Sequence, residues 1–170
     1  MKNGMKLAFA AIALIGFSSS SFAQATATAT ATATIVTPIS ITKTVDMNFG
    51  NVAVQTATGG TVVLTPAGVR SVTGGVTMPA VFGTVTAATF TVNGQGTYTY
   101  AITLPVAATT LTSGANTMTA TTFTSNPSAT GVLTAGTQTL NVGATLNVAA
   151  AQAAGLYVSG TPFSVTVNYN

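Results

Sequence analysis

The chain is 170 residues long, with four Lys or Arg, one Asp or Glu, and no His, Cys or Trp. Its net charge of +3 includes Lys2 and Lys6 near the start; the rest keeps Lys43, Arg70 and Asp46, which gives 2 − 1 = +1. That excludes a cationic patch for nucleic acid or acidic lipid, and the missing Cys excludes a disulfide framework.

Residues 1–23 read as a signal peptide. Lys2 and Lys6 supply the charged start, 7–17 the apolar stretch, and Ser21-Phe22-Ala23 a small-x-small cleavage signature. The apolar stretch is too short to span a bilayer, so no membrane span is expected after processing. Cleavage after Ala23 leaves 170 − 23 = 147 residues, a size suited to one domain. The expected location is the periplasm, the cell surface or the extracellular space. With only three charged side chains after the leader, little repulsion opposes self-association.

Residues 24–34 form a low-complexity arm, in which 25–34 are five Ala-Thr pairs. Taken alone, those ten residues read equally as linker or strand. The alternation then continues. Ile35, Ile39, Ile41, Val45, Met47 and Phe49 keep odd positions apolar, while Ser40, Thr42, Thr44, Asp46 and Asn48 keep even ones polar. A period of two predicts a strand with one buried face, broken at Thr37, Pro38 and Lys43. An N-terminal strand with no partner of its own points to assembly. Ile35, Ile39 and Ile41 are its candidate anchors, because a buried Ile contributes about 1.5–3 kcal/mol and an Ala far less.

Residues 35–170 read as a β-sandwich domain. Asn48-Phe49-Gly50-Asn51 predicts a turn and 52–54 a short strand. A compact strand at 61–64 ends at Thr65-Pro66-Ala67-Gly68. Strands at 69–72 and 76–78 bracket Gly74-Gly75. Asn93-Gly94 between the alternating runs Phe90, Val92 and Tyr98, Tyr100, Ile102, Leu104 predicts a hairpin. Residues 111–115 read as a loop, 118–123 as a strand, and Asn126-Pro127 as a turn. Gly143 between Leu140, Val142 and Leu146, Val148 predicts a bulge or tight turn. Residues 149–154 are the one helix-capable run. Phe163, Val165, Val167 and Tyr169 alternate in a regular C-terminal strand. Short, regularly spaced strands rich in Thr and Val predict an all-β, single immunoglobulin-like antiparallel sandwich.

Chemistry lacks parts. Acid-base catalysis needs two positioned ionisable groups, and Asp46 is the one carboxylate side chain. Metal sites need clusters of Cys, His, Asp or Glu, so no metal, cofactor or catalytic residue is expected. Lys43 is the lone base for a hydroxyl nucleophile and reads better as a solvated strand residue. Lys43 and Asp46, three apart, should face opposite sides of a strand and not pair. Arg70 reads as a loop-tip solubilising charge. Tyr98 and Tyr100 read as core with their hydroxyls at the rim.

The segments 140–148, 152–157 and 163–169, with Asn48-Phe49-Gly50, 60–64 and 90–94, resemble an uncharacterised family of small exported β-sandwich proteins of Gram-negative bacteria, carried as a domain of unknown function. The ending is also similar to that of chaperone-usher and spore-coat-U-like pilus subunits, which finish on a Gly followed by an alternating strand with a penultimate Tyr. Here Gly155 or Gly160 supplies the Gly and Phe163, Val165, Val167 and Tyr169 the strand. That resemblance implies a sandwich lacking one strand, filled by the N-terminal extension of the next subunit. The chain departs from most such subunits in having no Cys pair. Implied partners are like subunits and a periplasmic chaperone or outer-membrane assembly protein. The expectation is a non-enzymatic structural protein, fimbria-like or otherwise on the cell surface, joined by β-strand addition. The alternative is a monomeric secreted binding module, an adhesin or carbohydrate binder, using Tyr98, Tyr100, Tyr157 and Gln95.

Overall fold

The structure, a computed structural model, describes residues 23–170. The expected leader, 1–23, lies outside the described residues except for Ala23. The chain divides into two units, Met1–Thr34 and Ile35–Asn170. Of the first, residues 23–34 are exposed and belong to no strand.

The second unit is all-β. In order it forms β1 (Ser40–Val45), β2 (Ala53–Val54), β3 (Gly60–Leu64), β4 (Arg70–Gly74), β5 (Val76–Thr77), β6 (Ala88–Asn93) and β7 (Thr99–Thr103). There follow β8 (Thr109–Ser113), β9 (Asn116–Asn126), β10 (Thr130–Val132), β11 (Thr137–Val148), β12 (Val158–Ser159) and β13 (Thr166–Tyr169). The described residues contain no helix. An eight-stranded antiparallel sheet runs β1-β6-β11-β9-β8-β12, with β3 and β4 joined to β11. A three-stranded sheet, β10-β7-β13, and a two-stranded one, β2-β5, complete the sandwich.

β11 is the axis of the large sheet. Leu140, Val142, Ala144, Leu146 and Val148 are its buried apolar side chains, at every second position, which fixes its register, since a slip of one would turn all five to the other face. On one side it pairs with β9. On the other, its first half pairs with β6 and its second half with β3, end to end. Two cores result. Ala88, Val92, Leu140 and Val142 pack against Tyr100, Leu133 and Val167 of the smaller sheet and its connections. Val62, Leu64, Ala144, Leu146 and Val148 pack against Phe49 and Val76. Met47 and Phe123 touch both.

Several expectations are corrected. β6 and β7 form no hairpin: β1 and β11 fill both edges of β6, so the chain crosses to the other sheet after Asn93. Gly94 serves a close approach instead, since a Cβ there would overlap Tyr169 Oη. Residues 111–115 are not a loop; β8 and β9 form a hairpin closed by Gly114-Ala115. The Gly143 irregularity exists, but Ala144 of β11 faces two residues of β9, Thr122 and Phe123, so the extra residue is on β9. Thr122 takes the positive φ of 50°. Gly143 itself is needed because a Cβ would overlap the Leu64 carbonyl. Residues 149–154 form a turn, with Ala151 at φ 51°. Tyr100 is fully buried, and its hydroxyl donates across the core to Gln138 Oε1 at 2.8 Å.

Lys43 and Asp46 do pair, at 2.6 Å. Lys43 faces Phe90 and Val45 faces Thr89, so Thr44 is an extra residue that shifts the side-chain alternation by one. With side chains 53% and 81% exposed, the pair is worth about 0–1 kcal/mol. Arg70 is half-buried at the start of β4, where its guanidinium donates to the carbonyls of Phe49 and Asn51. It clasps a loop.

Candidate functional site

A strand at the end of a sheet leaves every second main-chain N–H and C=O without a ladder partner, and proteins normally guard such edges. β10 is guarded: the Gln138 side chain accepts from Val132 N–H at 2.9 Å. β12 is only two residues long. β1 pairs with β6 on one side only and carries the Lys43–Asp46 pair at its far end. β13 pairs with β7 on one side only, and residues 163–170 contain neither a charge nor a Pro. β2 and β5 are two residues long, and β4, paired only with β3, begins with Arg70; β13 is the longest one-sided strand without a charged side chain.

β1 and β13 belong to different sheets but are tied together at one end. Tyr169 Oη donates to the Thr37 carbonyl at 2.7 Å and accepts from Gln95 N–H at 2.6 Å. Gln95 Oε1 accepts from Thr37 N–H and Oγ1 at 3.3 and 3.2 Å. The Tyr98 ring lies against that of Tyr169, with centroids 5.6 Å apart. The approach to β1, the β6–β7 connection and the last strand therefore meet in one knot. Below it, Ile39 and Ile41 from one edge and Phe163, Val165 and Tyr169 from the other are half-buried against the same core. Phe163 stacks on Phe123 at 4.9 Å.

The sequence-predicted residues thus separate into two groups. Ile39, Ile41, Phe163, Val165, Val167 and Tyr169 come together in one core. Ile35 does not; it is 97% exposed. The expectation that the N-terminal strand lacks a partner fails for Ser40–Val45, which pairs with β6, and the expected strand begins only at Ser40, since 35–39 lie outside any strand. The expected C-terminal strand is shorter than its pattern, since Phe163 and Val165 precede β13. Gln95, read as a candidate ligand contact, and Gly94, read as a hairpin residue, serve instead to hold Tyr169. Their Asn-Gly-Gln context is the usual signature of a turn, and nothing local signals a distant Tyr.

A family model for a domain of unknown function, DUF4402, matches residues 39–169. The chain belongs to the DUF4402 family. The match covers the sandwich with β1 and β13, and the Ala-Thr run lies outside it. No curated protein and no solved structure matches this DUF4402 chain.

The tyrosines suggested for ligand binding are not a shared platform. Tyr100 is buried, Tyr98 leans on Tyr169, and Tyr157 Oη donates to the Ala153 carbonyl and accepts from Gln152 Nε2. A shallow cleft of about 660 Å³ at the foot of β7, lined by Thr103, Leu104, Thr110, Pro162, Phe163 and Thr166 among others, has no charged side chain. Burial raises the Tyr100 pKa above its ordinary value of 10.0.

Proposed function

We propose that this protein is an exported, non-enzymatic structural subunit of a fimbria-like or other cell-surface assembly, joined to like subunits by β-strand addition. The observation that carries this reading is the edge of β13: paired on one side only, free of charge and Pro, and lying over half-buried apolar side chains. An added strand gains main-chain hydrogen bonds from such an edge, and its alternate side chains reach the core. The donor in this reading is residues 25–35 of another copy. They alternate with period two, belong to no strand of their own, and end in the exposed Ile35. An edge this exposed is a hazard before assembly, which is the role of a periplasmic chaperone or outer-membrane assembly protein in this scheme. A single carboxylate side chain, with no His or Cys, supports a non-enzymatic role. The dispersed tyrosines give a monomeric binding module less support.

The test is deletion of 24–34, which leaves β1 and the Thr37 knot in place. Polymers seen by electron microscopy and size-exclusion chromatography of the parent should disappear, with the β-type circular dichroism unchanged. Polymers of undiminished length after the deletion would refute the reading.

A further inference from the structure

The side of the large sheet turned away from the core, Val63 apart, is largely a lattice of hydroxyls and amides. Register places Thr73, Thr61, Asn147, Thr119 and Thr110 in one row across β4, β3, β11, β9 and β8. The adjacent row, Val72, Val62, Leu146, Ala120 and Thr109, takes the core side, with Val62, Leu146 and Ala120 buried. Successive residues of a strand point to opposite faces, so the first row faces out. At the other end of β11, Thr42, Thr91 and Thr139 form a matching outward row across β1, β6 and β11. The charged strand residues stand in core-side register, Lys43 opposite Phe90 and Arg70 opposite Leu64. The outward rows carry no charge at all.

We propose that this outer threonine face is a self-association surface on which a second copy of the same chain packs sheet against sheet. Three physical arguments select that occupant. A hydroxyl both donates and accepts, so a threonine lattice is complementary to itself, as a two-fold contact requires, and nothing repels an identical face. The side chains are already ordered: Thr61 Oγ1 and Thr73 Oγ1 are 2.7 Å apart, and Asn147 Nδ2 donates to Thr119 Oγ1 and Thr121 Oγ1 at 3.3 and 3.0 Å. β-Branched side chains also have little rotamer freedom to lose. The third argument is area. With about 3.3 Å per residue along β11 and about 4.8 Å between strands, the face measures roughly 40 by 20 Å, or about 800 Å² per copy, the size of a standard specific interface. The contact uses no strand edge, so it is independent of strand addition.

The experiment is sedimentation velocity of the full chain over a concentration series, with the double variants T110K/T139K and T110D/T139D. Neither Thr110 nor Thr139 makes a side-chain hydrogen bond that the substitutions would break, and thermal midpoints report folding. The parent should show a reversible dimer. Each double variant should weaken it tenfold or more, with partial recovery in high salt, and an equimolar mixture of the two should associate again. If one variant fails to fold, the other gives the same readout. A parent that stays monomeric at millimolar concentration, or variants that dimerise like the parent, would overturn the proposal. So would a monomeric parent that the variants distinguish only by retention on an insoluble neutral polysaccharide. Polymers of undiminished length after deletion of 24–34, with the dimer intact, would refute strand addition alone.

Discussion

Tyr169→Phe isolates the knot that joins the first and last strands. The substitution keeps the ring against Tyr98 and removes one oxygen, which accepts from Gln95 N–H and donates to the Thr37 carbonyl. Each lost hydrogen bond costs about 0.5–1.5 kcal/mol net where water can replace it, so the pair costs about 1–3 kcal/mol. A domain of this size loses about 3–5 °C of melting temperature per kcal/mol. Thermal unfolding followed by circular dichroism gives the global effect. Amide hydrogen exchange gives the local one: the Gln95 N–H should lose protection in the variant, while amides at the centre of β11 slow or quicken only with global stability. A Gln95 amide protected equally in both proteins would refute the assignment of Tyr169 as its partner, whatever the melting temperature did.

Gly143→Ala should lower stability by about 3 kcal/mol, because the new methyl overlaps the Leu64 carbonyl and β3 must separate from β11; the midpoint of urea unfolding reads this. Tyr100→Phe should cost about 1 kcal/mol at neutral pH through the lost bond to Gln138. Burial raises the folded-state pKa of Tyr100 above 10.0, so as pH climbs past that value the unfolded chain releases its proton first and the folded state loses stability. The gap between parent and variant should therefore narrow above pH 10 in urea titrations, and a gap constant to pH 11 would contradict it.

Period-two alternation made the strands legible, because Thr and Val repeat against a core that lies on one side only. Leu140 to Val148 could be read this way, as could the break at Gly143, though not which strand held the extra residue. What local pattern does not encode is which strand sits beside which. Asn93-Gly94 has the composition of a hairpin, yet both edges of β6 are occupied by strands 40 or more residues away in sequence. Arg70 was legible only as a surface charge and Gln95 only as a candidate ligand contact, since their actual partners are carbonyls and a tyrosine brought near by the finished fold. The Lys43–Asp46 pair was misread because a bulge at Thr44 changes the arithmetic of alternation. Ile39 and Ile41 were legible as buried residues; that they fill their own core, leaving Ile35 outside, depended on the pairing of β1.

The position of β11 has a consequence for how the protein is made. The β1–β6 and β3–β4 pairs have early partners, but each keeps one edge open until β11 arrives. During synthesis or translocation from the N-terminus, residues 60–93 emerge long before 137–148 can bind them. Contacts so distant along the chain close slowly, and unpaired apolar strands left waiting are prone to stick to one another. A chain that receives its centrepiece near the end of its own delivery gains most from something that holds the early strands apart.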